Sequence, residues 1–97
     1  MAQVVFAAEA LADLERLTDF LIEQSRGIAA ETLGLVLDAT GVLASHPLIG
    51  RRVEAELREL VVSRGNSGYL ALYVYDAARD LVRILRVRHQ REAGYRE

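Results

Sequence analysis

The apolar positions change period three times along the chain. Gln3-Val-Val-Phe6 is a short β-branched and aromatic run and predicts a first strand. From residue 7 to 25 the spacing becomes helical, with Leu11, Leu14, Leu17 and Leu21 on one stripe. Glu9, Asp13, Glu15, Arg16, Asp19 and Glu23 fill the rest of the wheel, so an amphipathic helix is expected. Gly27 is a natural stop, because glycine tolerates the left-handed conformation after a helix end. Residues 28–46 form a second helical pattern, with Leu33, Val36, Leu37, Thr40, Leu43 and Ala44 in register. It holds only Glu31 and Asp38 as charges and should be the more buried helix. Gly34 and Gly41 lie seven apart on one face, a spacing that suggests close packing against a neighbour. Pro47 ends this helix, since the residue before a proline avoids the α region.

The period then drops to two. Residues 47–56 are read as a polar connection, and Leu57–Arg64 as a strand. Gly-Asn-Ser-Gly at 65–68 is read as a tight turn, and 69–76 as a strong strand. That strand sends Tyr69, Ala71, Tyr73 and Tyr75 to one face and Leu70, Leu72 and Val74 to the other. A turn at 77–80 leads to a last strand over 81–88, with Arg83 on one face and Arg86 and Arg88 on the other. The expected fold is α+β: one strand, a two-helix antiparallel hairpin, then a three-stranded antiparallel meander with the hairpin on one sheet face. Residues 1–97 make a single domain with no repeat or linker.

Charge adds an asymmetry to this picture. Residues 1–50 hold two arginines against seven carboxylates, a net of −5; residues 51–97 hold ten against seven, a net of +3. Every basic residue is arginine, the side chain suited to bidentate contact with carboxylate or phosphate. With no cysteine and only His46 and His89, no metal or cofactor is expected. His46 at a helix end is read as a partner of the helix dipole. No basic leader and no uninterrupted apolar run of about 18 residues is present, so the expectation is a cytoplasmic domain with no membrane partner.

Three stretches carry a family resemblance. They are "AEALADLERLTDFL" in the first helix, "HPLIGRRV" after the second, and the block from "LRELVVSR" through "GYLALYVYD" to "LVRILRVRHQRE". In this order they resemble the ParE/RelE superfamily of bacterial toxins from type II toxin–antitoxin modules, over nearly the whole chain. The resemblance implies a cognate antitoxin as partner, with an acidic, flexible segment that wraps the toxin. It leaves two targets. ParE-like members bind DNA gyrase by protein–protein contacts and do no chemistry. RelE-like members cut mRNA on the ribosome. A non-toxic relic that binds only its antitoxin is a further alternative.

The ParE-like branch is favoured, because RelE-like nucleases commonly place a basic residue directly after Gly-Tyr, and Leu70 stands there. If the chain is a nuclease, His89 is the general acid–base, Arg91 holds the phosphate, Tyr95 stacks on a base and Arg64 assists. Otherwise His89 and Arg91 lock the last strand to the hairpin. Antitoxin binding is assigned to Arg51 and Arg52 in the connection and to Arg83, Arg86 and Arg88 on the last strand. At least one of the last three is expected to pair with a carboxylate of the first helix. The sheet face left open by the helices is expected to take the partner.

Overall fold

The computed structural model describes residues 1–64, 67–92, 94 and 95, with only the backbone of Ser63, Arg64 and Ser67. The tight turn read at 65–68 therefore lies outside the described residues at its centre. β1 (Gln3–Phe6) runs into α1 (Ala8–Ile22). Ser25 then starts α2 (Arg26–Gly41), its Oγ accepting from the Ile28 N–H at 3.3 Å. That cap settles the hairpin turn two residues earlier than the glycine signal. Gly27 sits in the first turn of α2 and stops nothing.

A short 3₁₀ turn, Val42–Ala44, extends α2. Together Arg26–Ala44 is long and apolar enough to pass for a membrane span by length and composition, against the expectation drawn from its interrupted apolar run. Here one stripe of it packs against the sheet and α1. Ala29, Thr32, Val36 and Thr40 form its buried stripe, and Thr40 Oγ1 returns to the Val36 carbonyl at 2.9 Å. Leu37, expected inside, is 46% exposed. The two α2 glycines also depart from expectation. A Cβ on Gly34 or Gly41 would meet nothing within 4 Å, so neither is required by close packing.

The sheet is larger than a three-stranded meander. β2 (Arg51–Glu54), β3 (Leu57–Arg64), β4 (Ser67–Asp76) and β5 (Leu81–His89) run antiparallel in turn. β1 joins beside β5 in parallel, giving the order β1-β5-β4-β3-β2. β2 lies within the stretch read as a connection. Polar, short and irregular at Val53, it carries none of the alternation that marks a half-buried strand. Backbone pairing alone recruits it to the edge.

Both helices lie on one face. Tyr73, Ile84, Val82, Val87, Ala71 and Leu43 are buried there, with Ala10 and Leu14 of α1. Val36 of α2 closes over Val62 and Tyr69. The tyrosine row thus belongs to the core, with Tyr75 only partly buried at its margin. Tyr73 ends at the Gly50 N–H, which donates to its hydroxyl at 2.8 Å.

An irregularity in β5 changes where its arginines stand. Tyr73 pairs with Ile84 but Leu72 pairs with Arg86, leaving Leu85 as an extra residue. Strict alternation would send Arg83 and Arg86 to opposite faces. The bulge places Arg83 opposite Val74, Arg86 opposite Leu72 and Arg88 opposite Leu70. All three arginines therefore share the face away from the helices.

Candidate functional site

On that outer face the chain folds back over its own sheet. Beyond β5, Tyr95 donates from its hydroxyl to Glu59 Oε2 at 2.8 Å. Its ring lies under two guanidinium groups, 5.7 Å from Arg86 and 5.2 Å from Arg88. The other Glu59 oxygen accepts from Arg51 at 3.0 Å. Arg88 reaches the carbonyl of Glu92 at 2.7 Å, pinning the tail from inside. One half of the outer face is thus occupied by the C-terminal segment, and no helix covers the other half among the described residues. Val5, Val74, Leu81 and Leu85 are half-buried there beside the exposed Arg83.

The environment of this cluster shifts its protons. Burial pushes the Glu59 carboxyl up, but hydrogen bonds from Tyr95 and Arg51 and the charges of Arg51 and Arg88 outweigh it and hold the group below its usual range. Burial, then the Glu59 contact, drives the Tyr95 hydroxyl well above its ordinary value. A carboxyl depressed in the folded state contributes stability above its ordinary 4.5 and loses it as the pH falls through the folded value. Comparison of the chain with its Glu59→Gln variant should therefore show a melting-temperature gap at pH 7 that narrows below pH 4.5. A gap that widens on acidification would contradict this assignment.

At the edge of β5 a carboxylate stands in for a missing strand. β1 pairs as far as Ile84, and the chain leaves with the Ala7 N–H bonded to the Ile84 carbonyl at 2.8 Å. Past that point the Val87 N–H would face an empty edge. Asp13 of α1 accepts it at 2.9 Å. The same carboxylate takes Arg86 through two bonds, at 2.7 and 3.1 Å. Asp13 is only 3% exposed. The Asp13 hydrogen bonds raise the Arg86 guanidinium against burial, which lowers it. So one of the last-strand arginines does pair with a helix carboxylate.

His89 goes the other way. Opposite Tyr69 on the helix side, its ring meets the Tyr69 ring edge-on at 5.1 Å and 87°. Its Nδ1 accepts from the Arg91 N–H at 3.1 Å, and its own N–H donates to Glu92 Oε2 at 3.0 Å. Glu92 also binds Arg16 of α1 at 2.6 Å. The strand end is therefore locked to the hairpin, but through Glu92 on the tail and Arg16 on the helix rather than by His89 and Arg91 pairing with the helix themselves.

Three of the four nuclease candidates can be placed, and they stand on two sides of the sheet. His89 and Arg91 stand at the helix side, while the Tyr95 hydroxyl is bound to Glu59 on the outer face. The Arg64 side chain lies outside the described residues. Of the residues assigned to partner binding, Arg51, Arg86 and Arg88 have intramolecular partners. Arg52 donates to the Ala55 carbonyl at 2.9 Å, beside a backbone at φ 47°. Arg83 alone of the five is exposed without a hydrogen bond or ion pair among the described residues. His46 is exposed after the 3₁₀ turn. Among the described residues no three His, Cys, Asp or Glu side chains gather as a metal site requires.

Asp13 and Glu59 were missed as structural centres. Asp13 carried a signal, since it sits three after Ala10 and four before Leu17, on the apolar stripe where a charge is costly without a partner. Glu59 carried none, because strand alternation places it outside and only the tail buries it.

Comparison with known proteins follows this geometry. Residues 4–94 match the family of the ParE toxin of the type II toxin–antitoxin system parDE. Toxin RelE3 of Caulobacter vibrioides is 37% identical over 93 residues, covering 95% of this chain and 98% of that protein. Toxin RelE2 of the same organism is 44% identical over 92 residues, covering 92% and 96%. Among solved structures, a chain of the RelBE2 toxin–antitoxin complex from Mycobacterium tuberculosis superposes with a TM-score of 0.59 at 31% identity, covering 92% of this chain and 98% of that one. A chain of the chromosomal ParDE system from P. aeruginosa superposes with a TM-score of 0.75 at 19% identity, covering 92% and 96%, and shares the fold.

Proposed function

Because this chain belongs to the ParE toxin family of type II toxin–antitoxin systems, we propose that it acts by gripping DNA gyrase, without chemistry of its own, until a cognate antitoxin neutralises it. One observation carries this choice of target. The groups a nuclease would need are divided between two faces of the sheet, His89 and Arg91 at one and Tyr95 at the other. General acid–base catalysis needs its groups within about 3 Å of one reacting centre. Leu70, where a nuclease of this superfamily would carry a cation, sits in the row opposite Arg88 and brings no charge to a phosphate.

A second reading has its own support. Arg86, Arg88 and Tyr95 do stand together on the outer face, and two relatives carry the name RelE. On that reading the chain is a ribosome-dependent mRNA endonuclease.

Purified toxin titrated into a gyrase supercoiling reaction is expected to stop supercoiling and accumulate cleaved DNA. His89→Ala should leave toxicity on expression unchanged. Full supercoiling at large toxin excess, with codon-phased cuts in mRNA by primer extension, would replace the first reading by the second.

A further inference from the structure

A cleft of about 600 Å³ opens between α1 and the end of β5, on the side opposite the Tyr95 cluster. We propose that it binds a small aromatic anion, one flat ring system joined to a phosphate or carboxylate. The inference rests on neither reading of the target. Leu17, Phe20 and Leu21 of α1 form an apolar wall. Tyr69 and His89 line the cleft from the sheet, and Arg91 from the tail. The volume falls within the roughly 300–1,000 Å³ of small-molecule sites.

Three observations define the ligand. The first is a place for a ring. Phe20 is 60% exposed at the cleft, an aromatic surface left in water. Leu17, Phe20 and Leu21 stand three and four residues apart on one face of α1. From Leu17 to Leu21 this wall runs about 6 Å along the helix axis. One flat ring covers a wall of that length and can stack on the phenylalanine. On the sheet side Tyr69 and His89 meet edge-on at 5.1 Å, which holds both rings in place beside the cleft.

The second is charge. Arg16, Arg91 and Glu92 are the charged residues of the lining, two guanidinium groups against one carboxylate. Arg16 and Glu92 are bonded to each other at 2.6 Å, which leaves the charge of Arg91 unmatched. Arg91 is exposed and has no ion pair among the described residues. The Nδ1 of His89 accepts from the Arg91 N–H at 3.1 Å, so the neutral ring carries its proton on Nε2 and donates from there. No carboxylate of α1 lines the cleft. An anion therefore meets a guanidinium and an imidazole N–H, and the one acid present is already paired.

The third is that wall and donors are held together before any ligand arrives. The wall belongs to α1 and the donors to the end of β5 and the tail, and the Arg16–Glu92 pair ties one to the other. Glu92 also accepts from the His89 N–H at 3.0 Å, so the same carboxylate fixes the strand end. A site assembled in the free protein spends little binding energy on ordering itself. A ring without a charge, or a charge without a ring, would use half of it.

The test titrates the purified free chain with adenosine monophosphate and with indole acetate, followed by NMR of the backbone amides. At least one probe should saturate with a Kd of about 1 mM or below, with shifts concentrated at Leu17, Phe20, Leu21 and His89. The tighter of the two identifies phosphate or carboxylate as the anionic group. The uncharged counterparts, adenosine and indole, should bind at least about tenfold more weakly, the loss of a charge-assisted hydrogen bond. Phe20→Ala and Arg91→Gln should each weaken the charged probe by about tenfold, the scale of one ring stack or one such bond. Arg83→Gln, on the open outer face, should bind as the parent does. Both cleft side chains are exposed, so thermal melts of the variants should match the parent. The site is overturned by an absence of saturable shifts with either probe up to about 10 mM. It is equally overturned if the uncharged rings bind as tightly as the anions, or if both cleft variants bind as the parent does.

Discussion

Replacing Asp13 with alanine should cost about 3 kcal/mol, a large share of the total stability of a domain this size. The carboxylate is buried at 3% exposure and makes three bonds, two from Arg86 and one from the Val87 N–H. Its loss strands a backbone donor at the sheet edge and takes from the Arg86 guanidinium the two hydrogen bonds and the charge that Asp13 supplies. The lower end of the range for a broken buried pair applies, because Arg86 keeps 22% of its side chain in water. Asp13→Asn retains an acceptor for Val87 and should cost about half as much, as a neutral hydrogen bond replaces a charged one. Arg86→Ala should also cost less than Asp13→Ala, since Asp13 keeps the Val87 N–H and has Arg16 at 3.8 Å. Urea denaturation of the three variants measures the series. An Asp13→Ala midpoint equal to the parent's would mean that the edge of β5 is satisfied without the helix.

Gly50→Ala should destabilise by about 2–3 kcal/mol through overpacking. An added Cβ would lie 2.6 Å from Tyr73 Cε1, 2.7 Å from its hydroxyl and 2.9 Å from the Glu59 carbonyl. None of these can move cheaply. Tyr73 is fully buried, and the carbonyl belongs to the sheet backbone. The loop carrying Gly50 is also tied down, with Arg58 bonding the Leu48 and Gly50 carbonyls at 3.1 and 2.8 Å. Relief would mean losing the Gly50–Tyr73 hydrogen bond as well. Gly34→Ala should move the other way. That position is helical with open space above it, so alanine should gain up to about 1 kcal/mol. Calorimetric melts of both variants check the pair. Equal shifts in the same direction would refute the assignment of Gly50 to a steric role.

These two glycines mark how far local reading goes. Periodicity recovered β1 at Gln3–Phe6 and β3 at Leu57–Arg64 with the bounds the structure gives, and both helices to within a few residues. It also put Tyr69, Ala71 and Tyr73 on one face. Each of those features follows from the repeat of a single element against a single core, which the order of residues carries by itself. What lies between elements was not legible. Nothing near Gln3 states that it pairs in parallel with Leu81, and nothing in Arg51–Glu54 marks a strand until β3 supplies its hydrogen bonds. The faces of the β5 arginines turn on one extra residue, Leu85, because a shift of one position reverses every later side chain. That bulge brings Arg86 and Arg88 to Tyr95, and the strand end sends His89 to the opposite side. The chain determined its elements through local spacing, and three of its stretches carried the resemblance to its superfamily. Only the tertiary structure decided which charges meet, because their neighbours lie as far apart in sequence as Asp13 and Val87 and are joined only by the folded sheet.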